Sequence, residues 1–269
     1  MRENINVTVQ EIAISCTEDK LFRAEIISEF HSLLKILSGE MKIVLSDRSY
    51  SFEAGDILLV PRNQLCAVFK RPKDSALFES ILITLRPDRL KSYYSSRLKE
   101  NLIKEKPEIK IFSSNELLEG YFTSIPSYLS STSVLSEELR TIKIEECISI
   151  LRLSDKSIDN VLSDFSEPGK IDLKGFMEKN FMFNMSLQKF SYLTGRSIST
   201  FNRDFRKIYN QAPQKWLIDK RLRLAHWKIA DLKIKPTQVY LEIGFENLSH
   251  FSYAFKKHFG YSPSQLAVM

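Results

Sequence analysis

The sequence predicts an α+β protein, with an N-terminal β-barrel, helices after it, and an all-α C-terminal domain of two helix-turn-helix units joined by a long helix. Three observations indicate this class. Short apolar runs separated by turn residues fill residues 33–85, helical periodicity follows Pro87, and one aromatic and basic phrase occurs twice near the end. The 269 residues, 43% of them hydrophobic, suffice for two buried cores.

The barrel is predicted from the runs LLKIL, MKIVL, YSF, DILLV, LCAVF and FESILITL, which alternate with turn residues such as those at Gly39 and Gly55. We expect residues 1–90 to form this domain. Its sequence carries a single histidine, His31, whereas a metal-binding barrel needs clustered ligands. A lone histidine is more often structural, so we expect no metal and no other cofactor.

Residues 91–166 are predicted to be helical. The segment LSEELRTIKIEECISILRLSD carries a broad apolar stripe that must be buried somewhere. The stripe contains Leu135, Leu139, Ile142 and Ile150, with Ile144, Cys147 and Leu151 beside it. It can pack against the barrel or form a dimer interface. We predict dimerisation through this region, with Leu135, Leu139 and Ile142 in the contact.

Charge is distributed unevenly along the chain. From Lys170 onward there are 17 Lys and Arg against 7 Asp and Glu, a net +10, while the preceding residues have 22 against 26, a net −4. A basic segment can be a solvated face, a membrane-surface patch or a polyanion-binding surface. Charge alone does not distinguish these alternatives.

Cysteines and termini indicate the compartment. The three cysteines, Cys16, Cys66 and Cys147, are odd in number and widely spaced, so neither a disulfide framework nor a C-x-x-C metal site is predicted. The first residues, MRENINVTVQEIAIS, are polar where a signal peptide is apolar, and no apolar run reaches membrane-spanning length. We expect a cytoplasmic protein without a membrane segment.

The repeated phrase predicts two equivalent helices. FNRDFRKIYNQAP (201–213) and FSYAFKKHFGYSP (251–263) share one pattern, with equivalent positions 50 residues apart. Helical spacing puts one set of residues inward: Ile198, Phe201, Phe205 and Ile208, then Leu248, Phe251 and Phe255. The outward set is polar: Ser199, Asn202, Arg203 and Arg206, then Ser249, Ser252, Tyr253 and Lys256. Ser197 and Asn247 are expected to cap the two helices.

A shorter helix and a glycine turn precede each copy, at Gly195 and Gly244. Two helices with a tight turn between them, the second basic and polar outside, is the plan of a helix-turn-helix unit. We expect such units at residues 185–209 and 236–259. The alternative is an amphipathic helical pair with a solvated face. Residues 213–233 have no breaker and predict a helix of about 30 Å, comparable with the roughly 34 Å between successive major-groove faces of B-DNA.

These residues resemble the AraC/XylS family of transcriptional regulators. The first unit and connecting helix match at Gly195, Ser197, Phe201, Arg203, Phe205, Pro213, Leu217, Arg221, Leu222 and Ala225. The second unit matches at Val239, Ile243, Gly244, Phe245, Phe251, Phe255, Lys256, Lys257, Gly260 and Pro263. The resemblance covers residues 172–269, preceded by a linker at 167–171. L-x-G-E-M-x-I around Gly39 and A-G-D-I-L-L-V-P at 54–61 are similar to the cupin-like sensing domain of these regulators.

The sequence departs from the family pattern at four positions. Ser191 and Tyr240 stand where alanine is usual, Asn210 replaces the glycine found at Gly260, and Lys228 occupies a usually apolar position. Tyr240 is the largest departure, because a bulky ring there can change how the helices of the second unit pack.

The resemblance implies DNA-binding residues on each second helix. Base-reading positions are Ser199, Asn202 and Arg203, then Ser249, His250 and Tyr253. Arg206, Lys207, Lys256 and Lys257 suit phosphates. Ser197 and Thr200, at the start of the helix that carries Arg203, complete the predicted DNA-binding set. Tyr253 and His250 can alternatively serve packing or phosphate contact.

The implied function is that of a sequence-specific regulator, an activator rather than a repressor, that reads two successive major-groove segments of double-stranded DNA. Implied partners are RNA polymerase, a second copy of the chain, and either a small-molecule effector or a regulatory protein at the N-terminal domain. The alternative is a cupin-type enzyme with an appended nucleic-acid-binding domain. The sequence has no Gly-rich phosphate loop, His/carboxylate cluster or nucleophile signature, so we predict no catalytic residues and no enzyme.

Overall fold

A computed structural model describes residues 10–17, 22–97, 108–131 and 135–268. The chain divides into two compact units, Met1–Phe165 and Ser166–Met269, and each is described by itself. The predicted α+β class is confirmed, since the strands lie in the first unit and the second contains helices alone among its described elements.

The first unit is built mainly from strands. They are β1 (Ile12–Thr17), β2 (Phe22–Ile27), β3 (His31–Ser38), β4 (Glu40–Val44), β5 (Ser49–Glu53), β6 (Ile57–Val60), β7 (Leu65–Arg71), β8 (Phe78–Leu85) and β9 (Lys110–Phe112). Its helices are α1 (Pro87–Tyr94), α2 (Glu116–Ser131), α3 (Glu137–Ser154) and α4 (Ile158–Leu162). The second unit contains α5 (Leu173–Asn180), α6 (Leu187–Leu193), α7 (Ile198–Tyr209), α8 (Pro213–Ala230), α9 (Pro236–Glu242), α10 (Leu248–Phe259) and α11 (Pro263–Val268).

The strands form two antiparallel sheets. The described residues give a five-stranded sheet in the order β1-β8-β3-β6-β9 and a four-stranded sheet in the order β2-β7-β4-β5. All predicted strands are present, but β1, β2 and β9 lie outside the region in which strands were predicted. β9 is too short to produce a periodic signal, and its pairing with β6, at Ile57 with Phe112, is a long-range contact.

Strand β6 explains why the apolar runs are continuous rather than alternating. All four of its side chains are buried, because the five-stranded sheet is covered on both faces. Ile57 and Leu59 join a core that includes the helices, whereas Leu58 and Val60 join a core with Met41 of the second sheet.

Helix α3 places most of its apolar stripe in that helix-covered core, with Ile144, Cys147, Ile148 and Leu151 all buried. Leu135 is also buried there, at 7% exposure, so its predicted place in a dimer contact is wrong. The reason is local: Ser136 caps α3 by accepting a hydrogen bond from the Leu139 amide, so Leu135 precedes the helix and does not share its surface stripe. Leu139 and Ile142 remain 42% and 61% exposed.

His31 lies at the start of β3 and is 3% exposed. Its Nδ1 accepts a hydrogen bond from the Arg62 amide at 3.2 Å. Burial, followed by the positive charge of Arg62, lowers the pKa of His31 to about 3. The side chain is therefore neutral and accepts a hydrogen bond within the first compact unit. In the described ranges no three His, Cys, Asp or Glu side chains gather where they could hold a metal ion.

The long helix α8 organises the second unit. Its buried residues Leu222, Ala225 and Ile229 contribute to a core with α9 and α10, while Trp216 packs on the aromatic side chains of α7. It ends at Ala230 rather than at the predicted residue 233, and its 18 residues span about 27 Å. None of the helices in the described part of the chain has the length and apolar character needed to cross a membrane.

Candidate nucleic-acid interface

The repeated phrase folds into two equivalent helices, α7 and α10. Each begins at the predicted cap: the Ser197 hydroxyl accepts from the Thr200 amide, and the Asn247 side chain accepts from the amides of Ser249 and His250. Each buries two phenylalanines completely, Phe201 and Phe205 in α7 and Phe251 and Phe255 in α10. The opposite side of each helix is left to solvent.

The buried stripe is narrower than predicted. Ile208 and Leu248, both predicted to lie inward, are 43% and 37% exposed. In α7 the third inward ring is that of Tyr209, whose centroid lies 4.5 Å from that of Phe205 and 4.6 Å from that of Trp216. Tyr209 lies four residues after Phe205 and so continues the line of Phe201 and Phe205. Ile208 lies three residues after Phe205 and falls at the edge of that line.

The predicted contact residues of α7 lie on its open side. Ser199, Arg203, Arg206 and Lys207 are exposed, and Thr200 and Asn202 are half-buried. The Ser197 hydroxyl is used inside the unit, since it caps the helix and donates to the Thr200 hydroxyl at 3.0 Å. The Arg203 guanidinium lies 3.7 Å from the Asp204 carboxylate and keeps a 65% exposed side chain.

Helix α10 presents a matching surface. Ser249, His250, Tyr253, Lys256 and Lys257 are all exposed. Tyr253 is 67% exposed, which removes core packing as its role. The His250 ring lies 5.5 Å from that of Phe245, so packing fixes its position at the start of the helix.

Backbone conformation accounts for one departure from the family pattern. Asn210 ends α7 with φ +50°, and Gly260 ends α10 with φ +88°. Both therefore occupy the left-handed region, which glycine adopts without cost and asparagine tolerates better than most residues. Asn210 preserves the geometry of the glycine that it replaces.

The other departures are also accommodated. The Ser191 side chain is buried, and its hydroxyl donates to the Gln188 carbonyl at 2.8 Å. Tyr240 is half-buried against the core formed by α8, α9 and α10. Lys228 forms an ion pair with Glu242, which lets a charged side chain occupy the usually apolar position.

A groove of about 990 Å³ is lined by residues of both helix-turn-helix units. Asn202 of α7 lines it together with Ser249 and His250 of α10. Arg221 of α8 also reaches the groove. The groove thus brings predicted base-reading residues of both units to one surface.

Two arginines in the second compact unit have roles that the sequence did not predict. Arg196 donates to the Asp204 carboxylate at 3.2 Å and to the Ile171 carbonyl at 3.0 Å. This contact lowers the pKa of Asp204, which stays ionised among the cations of α7. Arg221 was matched to the family but given no role, although an arginine four residues after the inward Leu217 was a signal that its charge is buried.

Comparisons with known proteins agree with this architecture. Residues 191–267 match a family model described as a helix-turn-helix domain, and residues 31–163 match the ExsA N-terminal regulatory domain. The HTH-type transcriptional regulator ExsA of Pseudomonas aeruginosa is 25% identical, over 86% of this chain and 83% of its own length. The virulence regulon transcriptional activator VirF of Yersinia enterocolitica is 24% identical over 86% of each chain.

Among solved structures, an apo variant of ToxT from Vibrio cholerae aligns with a TM-score of 0.46 and 13% identity, over 97% of this chain and 98% of that one. The paired recognition helices, their basic outer faces and the two family models lead to the same assignment. This chain is similar to transcriptional regulators in both its helix-turn-helix domain and its N-terminal regulatory domain.

Proposed function

We propose that this protein is a transcriptional activator that binds specific double-stranded DNA through α7 and α10. The observation that carries the proposal is the pairing of two equivalent helices, each packed by two fully buried phenylalanines and each open and cationic on its other side. A second helix that projects such a surface from a helix-turn-helix unit enters the major groove.

The outer faces divide into two chemical roles. Arg203 and Asn202 can form bidentate hydrogen bonds with guanine and adenine, respectively, and so read sequence. Arg206, Lys207, Lys256 and Lys257 supply charge for phosphates, which gives affinity without sequence information. Helix α8 spans about 27 Å, which suits two contacts on one face of the duplex roughly 34 Å apart.

The first compact unit, Met1–Phe165, is proposed to be the regulatory part of the protein. It matches the ExsA N-terminal regulatory domain over residues 31–163 and carries the acidic half of the charge. Its effector is either a small molecule or a regulatory protein, and binding changes DNA affinity only through a difference in affinity for two states.

Self-association is proposed to use the exposed face of α3. Leu139 and Ile142 lie on this face with Leu153, which is 75% exposed and was not predicted. Three large apolar side chains on one face of a helix that otherwise packs into the core are typical of a contact surface.

An activator also needs RNA polymerase as a partner. A cytoplasmic location is proposed because RNA polymerase and DNA are found there.

The alternative of a cupin-type enzyme has no support in the comparisons. The two matched family models describe a DNA-binding and a regulatory domain. The relatives are named as transcriptional regulators, and we propose that this protein has no catalytic activity.

Binding of the full-length protein to a pool of random duplexes, followed by selection and sequencing, tests the proposal. We expect a recurrent bipartite motif and an affinity that falls with salt by about 0.9 per neutralised phosphate on the log–log slope. Mapping of bound DNA across the genome should recover the same motif upstream of genes. Selection that yields no motif, or no duplex retained at low salt, overturns the proposal.

A further inference from the structure

We propose that Arg221 is a positioning residue that joins the two helix-turn-helix units and thereby sets the number of base pairs between the two DNA segments that the protein accepts. The inference rests on the proposed function. It concerns the spacing of the two recognition helices rather than the bases that either of them reads.

The Arg221 guanidinium connects the segment that leads into the first helix-turn-helix unit to the turn of the second helix-turn-helix unit. Its Nε donates to the Phe181 carbonyl at 2.8 Å, and its Nη2 donates to the Phe183 carbonyl at 2.7 Å. Both carbonyls lie in the stretch between α5 and α6, ahead of the first unit. Its Nη1 donates to the Gly244 carbonyl at 3.3 Å, in the turn of the second unit.

The site is buried and fits an arginine. Arg221 is 8% exposed, so these hydrogen bonds form largely out of contact with water. Phe181 follows the last residue of α5, where carbonyls have no partner within the helix. A planar guanidinium with five fixed donors can serve three carbonyls in different directions, whereas an ammonium group lacks that geometry.

Two further contacts bring the same segments together. Asn184 donates to the Glu246 carboxylate at 2.9 Å. A Cβ at Gly244, where φ is +82°, would lie 2.6 Å from the Met182 carbonyl oxygen and 3.1 Å from the Arg221 guanidinium carbon. Only glycine therefore lets the turn of the second unit approach this closely.

The position of this junction connects it to DNA recognition. Gly244 lies three residues before Asn247, the cap of α10, and Asn184 lies two residues before Ser186, the cap of α6. Each unit also packs on its own part of α8. Without Arg221, the turn that leads into α10 loses its central hydrogen bonds to the segment that leads into α6. The second recognition helix can then shift relative to the first.

Two modules held at one separation bind strongly only where the spacing of their sites fits it. A flexible pair tolerates altered spacing. Loss of Arg221 should therefore reduce the penalty for a wrong spacing more than it reduces binding to a single segment.

The first experiment uses full-length protein and a duplex selected by the wild type from a random pool, with the two contacted segments located by footprinting. One base pair is inserted between them, and Kd is measured for both duplexes and for a duplex with one segment scrambled. We expect the insertion to weaken wild-type binding about tenfold or more and R221Q binding less than about threefold, with single-segment binding changed less than about twofold.

The matched control is K220Q. Lys220 is the neighbour of Arg221 on α8. Its Nζ donates to the Glu178 carboxylate of α5 at 2.7 Å, a contact that does not involve the second helix-turn-helix unit. Both variants lose one positive charge. K220Q should keep the wild-type insertion penalty. An R221Q penalty equal to that of the wild type overturns the inference.

The second experiment does not depend on DNA. Nitroxides are placed at K207C and K257C in a C16S background, where Cys66 and Cys147 are buried, and the distance between them is measured by double electron–electron resonance with excess unlabelled chain. We expect the distance distribution to broaden about twofold or more in R221Q. R221K, which fills the site and keeps the charge, should be intermediate and is used if R221Q does not fold.

An unchanged distance distribution in the folded variant overturns the inference, whatever DNA shows. A wild type that selects no duplex overturns the proposed function and leaves the distance measurement to decide the role of Arg221.

Discussion

Gly195 packs so closely against Gly169 that a Cβ at Gly195 would lie 2.4 Å from the carbonyl carbon and oxygen of Gly169. Gly195 is in the turn of the first helix-turn-helix unit, and Gly169 belongs to the segment predicted as a linker. Arg196, the next residue, donates to the Ile171 carbonyl and to Asp204 of α7. Residues 169–171, near the start of the second compact unit, are thus held against the turn that precedes α7.

G195A should destabilise the second compact unit, Ser166–Met269, more than G260A does. Both glycines have positive φ, +63° and +88°, so alanine introduces backbone strain of about 1–3 kcal/mol at either position. Nothing lies within 4 Å of a Cβ at Gly260, whereas at Gly195 the main chain must also move. We expect an additional loss of about 1–3 kcal/mol in the free energy of unfolding, measured by urea denaturation. Equal losses would contradict the close contact.

Truncation of Arg203 and truncation of Lys257 should change DNA binding in different ways. R203A should lower affinity for the selected duplex by about 1–3 kcal/mol and relax preference at one base pair. K257A should weaken selected and random duplexes alike and lower the salt slope by about one. Titrations at several salt concentrations measure both quantities. Equal losses of R203A on selected and random DNA would show that Arg203 contacts phosphate.

Charge on the exposed face of α3 should reduce self-association. Leu139 and Ile142 are exposed, so L139E and I142E introduce charge without opening the core. We expect sedimentation velocity at micromolar concentration to show a shift from dimer to monomer at an unchanged thermal unfolding temperature. L77E alters a residue that is 52% exposed between β7 and β8 and should leave association intact. A wild type that is monomeric with and without DNA would refute the dimer.

Removal of residues 1–165 should separate binding from regulation. The remaining residues form the second compact unit and contain both recognition helices. We expect gel shifts to show retained binding to the selected duplex, and reporter expression to lose its response to the inducing condition. A truncated protein that still responds would show that the sensor does not lie in the first unit.

His31 should make the first unit acid-sensitive. An unfolded histidine titrates near pH 6.5, whereas the pKa of the buried His31 is about 3. The unfolded state therefore binds more protons between these values, and the free energy of unfolding falls as pH decreases below about 6.5, by up to about 1.4 kcal/mol per pH unit.

H31Q is the control for this pH dependence. Glutamine keeps an oxygen that can accept from the Arg62 amide but does not titrate, and subtracting its stability removes the contribution of the carboxylates. Urea denaturation between about pH 7 and pH 5 should give a steeper loss for the wild type than for H31Q. Parallel curves would show that His31 becomes protonated without unfolding.

The sequence was most informative where local spacing decides the structure. Phe201, Phe205, Phe251 and Phe255 are buried as predicted, and both caps are in place, because each depends on residues within one turn. Leu135 was predicted to belong to the apolar stripe of α3, but the helix begins only after its cap at Ser136, so Leu135 lies outside the helix. The role of Arg221 was not predictable, because Phe181, Phe183 and Gly244 lie 23 to 40 residues away along the chain and only the fold brings them together.

Strand β6 has a mechanical consequence for the first unit. Its four residues alternate between two cores, so Leu58 faces the second sheet while Ile57 faces the layer that contains α3. Protein interiors are packed as densely as organic crystals and do not absorb added volume locally. We therefore expect a ligand that separates the two sheets to displace β6 toward the helix-covered core, and with it α3, the helix that displays Leu139 and Ile142.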